Sequence, residues 1–247
     1  MRAQSTDTTF VTFKPPTFPR LLTMLRQSAR ISVLRCLEYE RLAGLELQGF
    51  VLDFGGGNVT NYREQISNWT KQGTFFRYES ANIDPQTEPT FLLEPNAPIP
   101  CKDNRYDAAL SLNTFEHIYD VTPVLRDLNR VLKEGGKLIF IVPFIFRVHG
   151  HPSDFSRHTP AFWRQKLAET GFEINEVEAL HWGPFSAACT VTGIPGPFKK
   201  TRLRVAIFKD FILSLMKRSV SKPGRFRQDH PIVNCPLGYL VTATKNS

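Results

Sequence analysis

Residues 51 to 57, Val-Leu-Asp-Phe-Gly-Gly-Gly, put an acid near the end of an apolar run and three glycines directly behind it. Phe50-Val51-Leu52 reads as a short buried strand, and a helix is expected to follow from about Asn58, a good N-cap residue. Glycine lets the backbone turn sharply and lets another group approach where a Cβ would collide. Strand, turn and helix in that order constrain the chain to an α/β unit. A strand that merely ends in a glycine-rich turn is the alternative, so the rest of the pattern has to decide.

Downstream, strand-like and helix-like segments alternate, which argues for βαβ units and a mainly parallel sheet. Strands are expected at 50–54, 77–84, 90–93, 106–112, 137–143, 172–180 and 238–244. Thr122-Pro123 reads as N-cap and first residue of one helix that Gly135-Gly136 stops; Thr159-Pro160 opens another that Gly171 closes. Before the turn, Leu21, Leu22, Leu25, Ile31, Leu34 and Leu37 recur at roughly helical spacing, predicting covering helices. Pro15, Pro16 and Pro19 make residues 1–18 a loose arm. The expected organisation is an N-terminal arm with covering helices over 1–48, then one domain over 49–247.

A chain of 247 residues can bury a substantial core in one such domain. Its net charge of +8 is uneven: ten basic residues against the single acid Asp210 fall between Pro197 and Arg227. The basicity therefore belongs to an insertion at about 181–231 and says little about the rest. The four cysteines are scattered without a Cys-x-x-Cys pair, which suggests a reduced, cytoplasmic setting. The first ten residues lack the apolar stretch of a secretory signal, and the best apolar run, 138–146, contains Pro143 and is shorter than the roughly 20 residues of a membrane span.

A dinucleotide fingerprint would read Gly-x-Gly-x-x-Gly. Gly55 and Gly57 fill its first two places, but Thr60 stands in the third. The Asp53 carboxylate would repel a pyrophosphate and attract a cation. Asp84 follows the second strand, where an acid can accept from both hydroxyls of a ribose, although Asp84-Pro85 also suits a simple turn. Glu94 or Asn96, in a proline-rich stretch, could meet a base edge. Then come Asn113-Thr-Phe-Glu-His117 and Arg130-Val-Leu-Lys-Glu-Gly-Gly136.

Taken in order over residues 49–143, these pieces resemble the small-molecule branch of the class I S-adenosylmethionine-dependent methyltransferases. That cofactor carries a sulfonium and an ammonium group and no phosphate. The resemblance implies a Rossmann-like three-layer sandwich with a seven-stranded, mostly parallel sheet whose last strand is antiparallel. It also implies Asp53, Gly55, Gly56 and Gly57 about the methionine part, Asp84 at the ribose, Glu94 or Asn96 at adenine, and Asn113 beside the sulfonium. Two departures stand out: Val59 replaces a third glycine, and Glu94 is nearest to the place of an absent Asp.

The segment 149–159, His-Gly-His-Pro-Ser-Asp-Phe-Ser-Arg-His-Thr, is dense in groups that exchange protons or pair with anions. It is similar to loops of enzymes in this branch associated with sugar and lipopolysaccharide pathways, which implies a small-molecule or glycan acceptor. His149 or His151 with Asp154 could take the acceptor's proton, and Arg157 could clamp an acidic group. Alternatively Asp154 and Arg157 pair with each other. His149, His151 and His158 lack a thiolate or fourth histidine for zinc, so no metal is expected. The basic insertion around the apolar residues 205–216 could lie on an anionic membrane surface through 198–227, form a lid or pack on the domain. No nucleic-acid motif or stacking platform accompanies the charge, which argues against RNA or DNA.

Overall fold

Along the sixth strand of the sheet, Leu138, Phe140 and Val142 are buried on one face, and Ile139 and Ile141 on the other. A strand covered on both sides belongs to the middle layer of three. The computed structural model describes residues 10–150, 153–194, 196–216, 224–227 and 236–246. In chain order they form β1 (Phe10–Phe13), α1 (Phe18–Gln27), α2 (Val33–Leu42), β2 (Gly49–Phe54), β3 (Phe76–Asn82), β4 (Phe91–Leu92), β5 (Tyr106–Leu112), α3 (Val121–Val131) and β6 (Leu132–Pro143). The chain continues with α4 (Pro160–Glu169), β7 (Phe172–Leu180), α5 (Pro184–Thr192), α6 (Lys199–Met216), β8 (Gly224–Arg227) and β9 (Gly238–Lys245).

All nine strands join one sheet in the order β4-β3-β2-β5-β6-β9-β7-β1-β8. The first seven places hold the expected strands, mostly parallel, with β9 antiparallel to both β6 and β7. The count of seven is corrected by two additions at the far edge. β1 pairs parallel with β7, and β8 pairs antiparallel with β1. Residues 10–13 are therefore not a loose arm: Val11 and Phe13 are buried because β7 would otherwise present an open edge and a bare apolar face. Residues 1–9 lie outside the described residues, as do 217–223 and 228–235 of the insertion.

Helix boundaries shift for local reasons. Asp120 rather than Thr122 caps α3, its carboxylate accepting from the amide of Thr122 at 2.9 Å. The helix ends at Val131, four residues before Gly135, because β6 already begins pairing at Leu132, opposite Tyr106. Thr159 caps α4 as expected, accepting from the amide of Phe162. The helix expected from Asn58 does not form. The amides of Asn58 and Val59 go instead to the carbonyls of Glu88 and Thr87, and only a 3-10 segment, Arg63–Trp69, follows. Its face of the sheet is covered from upstream, where Leu34, Leu37 and Leu42 of α2 pack with Tyr62, Ile66 and Trp69.

The turn after β2 is braced from beneath. The hydroxyls of Tyr78 and Tyr62 donate to Oδ2 of the fully buried Asp53 at 2.7 and 3.0 Å. A Cβ on Gly56 would collide with that carboxyl group, and one on Gly55, at φ 86°, with the side chain of Thr114. From the other side Nδ2 of Asn82 donates to the carbonyls of Gly55 and Gly56 at 2.8 and 3.2 Å.

Two outcomes follow from this packing. Phe13→Ala should lower stability by about 3 to 5 kcal/mol in chemical denaturation, as for a core aromatic, whereas Val59→Ala on the surface should change little. A negligible loss at Phe13 would place β1 outside the core. Burial lifts the Asp53 carboxyl from 3.8 to about 6, against the opposing pull of the two tyrosine hydroxyls and Arg63. The folded chain thus holds this proton more tightly than the unfolded chain. The associated stability is full below about pH 4 and is lost as pH rises to about 6, roughly 3 kcal/mol in all. Asn keeps an acceptor for the hydroxyls and does not ionise, so Asp53→Asn should gain stability relative to the parent by about that amount between those pH values. A constant difference across the range would contradict the buried carboxyl.

Candidate active site

β3 and β4 extend the sheet to one side of β2, whereas β5 and β6 extend it to the other. Such a reversal opens a crevice at the carboxyl ends of the strands. A cavity of about 770 Å³ lies there. Its walls come from the ends of successive strands: Phe54 and Gly55 after β2, Asn82 to Thr87 after β3, Leu93 after β4, and Asn113, Thr114, His117 and Ile118 after β5. Gly150 closes the far side. The volume is in the range of small-molecule sites.

Asp84 sits on the wall at the head of a short 3-10 turn, Pro85–Thr87. Its Oδ1 accepts from the amide of Gln86 at 2.9 Å. Asp84 thus starts a turn, as the Asp-Pro pair suggested, and also faces the cavity. Asn113 adopts a left-handed conformation, φ 53°, and its Nδ2 donates to Glu38 of α2 at 3.0 Å. Gly55 lines the cavity. Asp53, Gly56 and Gly57 do not; they support the turn, with Asp53 facing the two tyrosines rather than the cavity. Glu94 and Asn96 are exposed and off the wall, where Leu93 takes the place expected of them. Sequence reading missed Asn82, Thr114 and Glu38, because each acts through a partner far away in the chain.

At the opposite end, the loop after β6 folds against the turn after β5. The amide of Phe155 donates to the carbonyl of Glu116 at 2.8 Å, locking the two segments together. Asp154 accepts from the amide of His149 at 2.9 Å, and Nδ1 of His149 lies 3.3 Å from the same carboxylate. Arg157 grips Asp154 with both terminal nitrogens. This guanidinium chiefly holds the Asp154 carboxyl down at about 2. Arg157 is thus tied to its own loop instead of waiting for an acidic acceptor. His158 stacks on Phe162 with centroids 3.5 Å apart and does not join His149, while His151 lies outside the described residues.

Glu116, which spacing did not single out, is buried beside His117 and His149. Burial pushes its carboxyl up to about 8, with Asp154 and Glu38 adding to the rise and Arg157 opposing it. Burial likewise lowers the imidazolium of His117, whose Nδ1 lies 2.6 Å from the carbonyl of Ser153.

The wall chemistry distinguishes between nucleoside cofactors. Among the described residues no Lys or Arg lines the cavity, and the amides after the glycines are already bonded to Thr87 and Glu88. A pyrophosphate would find neither counter-charge nor helix N-terminus. The wall combines one carboxylate, Asp84, with the apolar Leu93 and Ile83 and the polar Asn113 and Thr114, a lining chemically compatible with a nucleoside that carries no phosphate.

Comparison with known proteins agrees with this. Residues 54–140 match the family model described as a methyltransferase domain. Over 88 residues the chain is 34% identical to the sarcosine/dimethylglycine N-methyltransferase of Halorhodospira halochloris, a match spanning 30% of this chain and 30% of that enzyme. A protein called a methyltransferase, solved with the Trm112 methyltransferase activator of Haloferax volcanii, superposes with a TM-score of 0.54 at 17% identity, over 85% of this chain and 89% of that one. An S-adenosylmethionine-dependent methyltransferase of Mesorhizobium loti gives 0.52 at 12% identity, over 86% and 98%. At such identities the structures speak for the fold. The stretch from the glycine turn through most of β6 thus resembles a methyltransferase domain, and the chain spans about a third of the length of the curated relative it matches.

Proposed function

We propose that the whole chain is an S-adenosylmethionine-dependent methyltransferase acting on a small molecule, with a sugar or glycan intermediate as the acceptor class. The observation that carries the reading is the phosphate-free character of a cavity at the carboxyl ends of β2 to β5, within the segment that matches the methyltransferase domain. The cofactor supplies an activated methyl group on a sulfonium. Asp84 takes the ribose hydroxyls, Leu93 and Ile83 flank the base, and Gly55, Asn113 and Thr114 surround the methionine part. Positioning is the main task left to the protein. The acceptor enters beside Gly150, where Glu116, His117 and His149 face one another and can receive its proton. The polar loop 149–159 supports a hydroxyl-rich acceptor, while the Halorhodospira relative acts on small amines, so an amine acceptor is the second reading.

The insertion between β7 and β9 supports a peripheral contact. α6 buries Ala206, Ile207 and Phe211 against the domain, and Asp210 locks it to α5 by accepting from the amides of Phe185 and Ser186. Its outer side exposes Val205, Phe208, Ile212, Leu215 and Met216 beside Lys199, Lys200 and Arg204. Exposed apolar groups rimmed by cations suit an anionic membrane surface in a cytoplasmic setting, which would bring the enzyme to a lipid-linked acceptor. Among the described residues no helix is long and apolar enough to cross a membrane.

Two experiments test these readings. Calorimetry should detect binding of S-adenosylmethionine and S-adenosylhomocysteine but not NADH. Asp84→Asn should weaken it about 10- to 100-fold, as for a hydrogen bond to a charged group. Gly55→Ala, forced against Thr114 at a positive φ, should abolish it with the circular dichroism unchanged. No binding at millimolar ligand would sink the proposal. In sedimentation with vesicles, the protein should bind phosphatidylserine-containing but not neutral membranes, less so with added salt, and Phe208→Glu should release it. Equal partition onto both vesicle types would reject the membrane contact.

A further inference from the structure

Glu116 presents an unusual combination. Its side chain is 1% exposed, and neither carboxylate oxygen has a hydrogen-bond partner among the described residues. A buried carboxylate in that state carries a desolvation cost that Arg157, acting at a distance, offsets only in part. Two imidazoles turn toward it, however. Nε2 of His117 lies 3.8 Å from Oε1, and Nε2 of His149 lies 4.0 Å from the same oxygen. All three potential ligand atoms fall within 4.8 Å of one another.

We propose that Glu116, His117 and His149 form a binding site for a divalent first-row transition metal at the rim of the cavity. Each imidazole is already oriented from behind. Nδ1 of His117 faces the carbonyl of Ser153 at 2.6 Å, and Nδ1 of His149 faces the carbonyl of Arg147 and the carboxylate of Asp154, each at 3.3 Å. With the proton on Nδ1, both Nε2 lone pairs point inward. Imidazoles on metals are commonly held by such an outer carbonyl or carboxylate. Arg157 in turn fixes Asp154, and the amide of Phe155 fixes the backbone of Glu116. The dense polar loop 149–159 thereby gains a purpose beyond proton exchange.

The present spacing is slightly wide for a filled site. Metal–ligand bonds of about 2.0 to 2.2 Å put neighbouring donor atoms roughly 3 to 3.5 Å apart, so the pairs at 3.8 and 4.0 Å have to close by roughly 0.5 to 1 Å and the two imidazole nitrogens by up to about 1.5 Å. His149 stands on a loop, which makes that shift easy. Two imidazoles and one carboxylate suit zinc, manganese, iron, cobalt or nickel rather than calcium or magnesium. Three protein ligands leave open positions, and His117 and Gly150 place them on the cavity side. There the ion would hold an oxygen or nitrogen of the acceptor and lower the pKa of its proton. That last consequence rests on the methyl-transfer reading; the metal site itself does not.

The test uses the whole 247-residue chain, freed of metal by a chelator and without cofactor. Cobalt(II) is added while visible absorption is followed, and zinc and manganese are titrated by calorimetry. One equivalent should bind with d–d bands displaced from those of the aqueous ion. His149→Ala and Glu116→Gln should each weaken binding about tenfold or more, while His158→Ala leaves it unchanged. His149 is 38% exposed on its loop, so His149→Ala keeps the fold even if Glu116→Gln does not. Absence of saturable binding at millimolar metal, or binding indifferent to His149→Ala, would overturn the proposal. S-adenosylhomocysteine binding by the same metal-free protein separates this failure from failure of the methyltransferase reading.

Discussion

The buried carboxylate of Asp53 is the constraint around which the cavity is arranged. It sits directly below Gly56, and it is held there by Tyr62 from the segment after β2 and by Tyr78 from β3. Removing a charge from water is costly, and two hydroxyl donors offset only part of that cost. What the arrangement secures is position. Asp53 ends the apolar run of β2 with a group that can hydrogen-bond sideways to two other segments, while Asn82 holds the carbonyls of the same turn from the cavity side. The turn is clamped between these two sets of bonds. Gly55, the residue that faces the cavity, therefore has little freedom to move.

This explains why part of the site was legible in the sequence and part was not. Alternation of apolar and polar segments located the strands β2 to β7 and β9, and it did so to the residue for β5 and β7, because burial on both faces leaves a strong pattern. Asp84, Gly55 and Asn113 were found because strand ends at the crevice carry polar residues after apolar runs. Asp53, Gly56 and Gly57 were read as ligand contacts on the assumption that glycines make room for a cofactor. In the structure the room is taken by the chain itself: by Asp53 under Gly56 and by Thr87 against Gly57. The missing helix after Asn58 has the same origin. Its first amides are satisfied by carbonyls from the turn after β3, a pairing between positions about 30 residues apart that local propensity does not register.

The N-terminal segment was the least legible. Prolines suggested a loose arm, yet β1 completes the sheet beyond β7, and α2 reaches the cavity wall through Glu38. Glu38 is buried and pairs with Arg35 while accepting from Asn113, whose left-handed backbone it supports. Arg41 of the same helix donates to Glu178 of β7 at 2.5 Å. One helix thus joins β7 to Asn113 on the cavity wall. Residues 10–42 are therefore tied into the sheet and the cavity wall through β1 and α2, a structural part of the domain and not a cover laid on it.

The two ends of the cavity differ in how they handle charge. At the end near Asp84 the wall offers one carboxylate and apolar surface, and the amides of Asn58 and Val59 are consumed internally. At the end near Gly150, Asp154 is neutralised by Arg157, but Glu116 has no comparable partner among the described residues. Two imidazoles, themselves held from behind, face it at 3.8 and 4.0 Å. A carboxyl in that position either keeps a proton or meets a cation, because an ionised and unpaired group would be expelled toward water. The backbone bond from Phe155 to Glu116 prevents that escape by fastening the turn after β5 to the loop after β6. What occupies the space between Glu116, His117 and His149, a proton on the carboxyl or a cation between the three groups, therefore sets the charge at this end of the cavity.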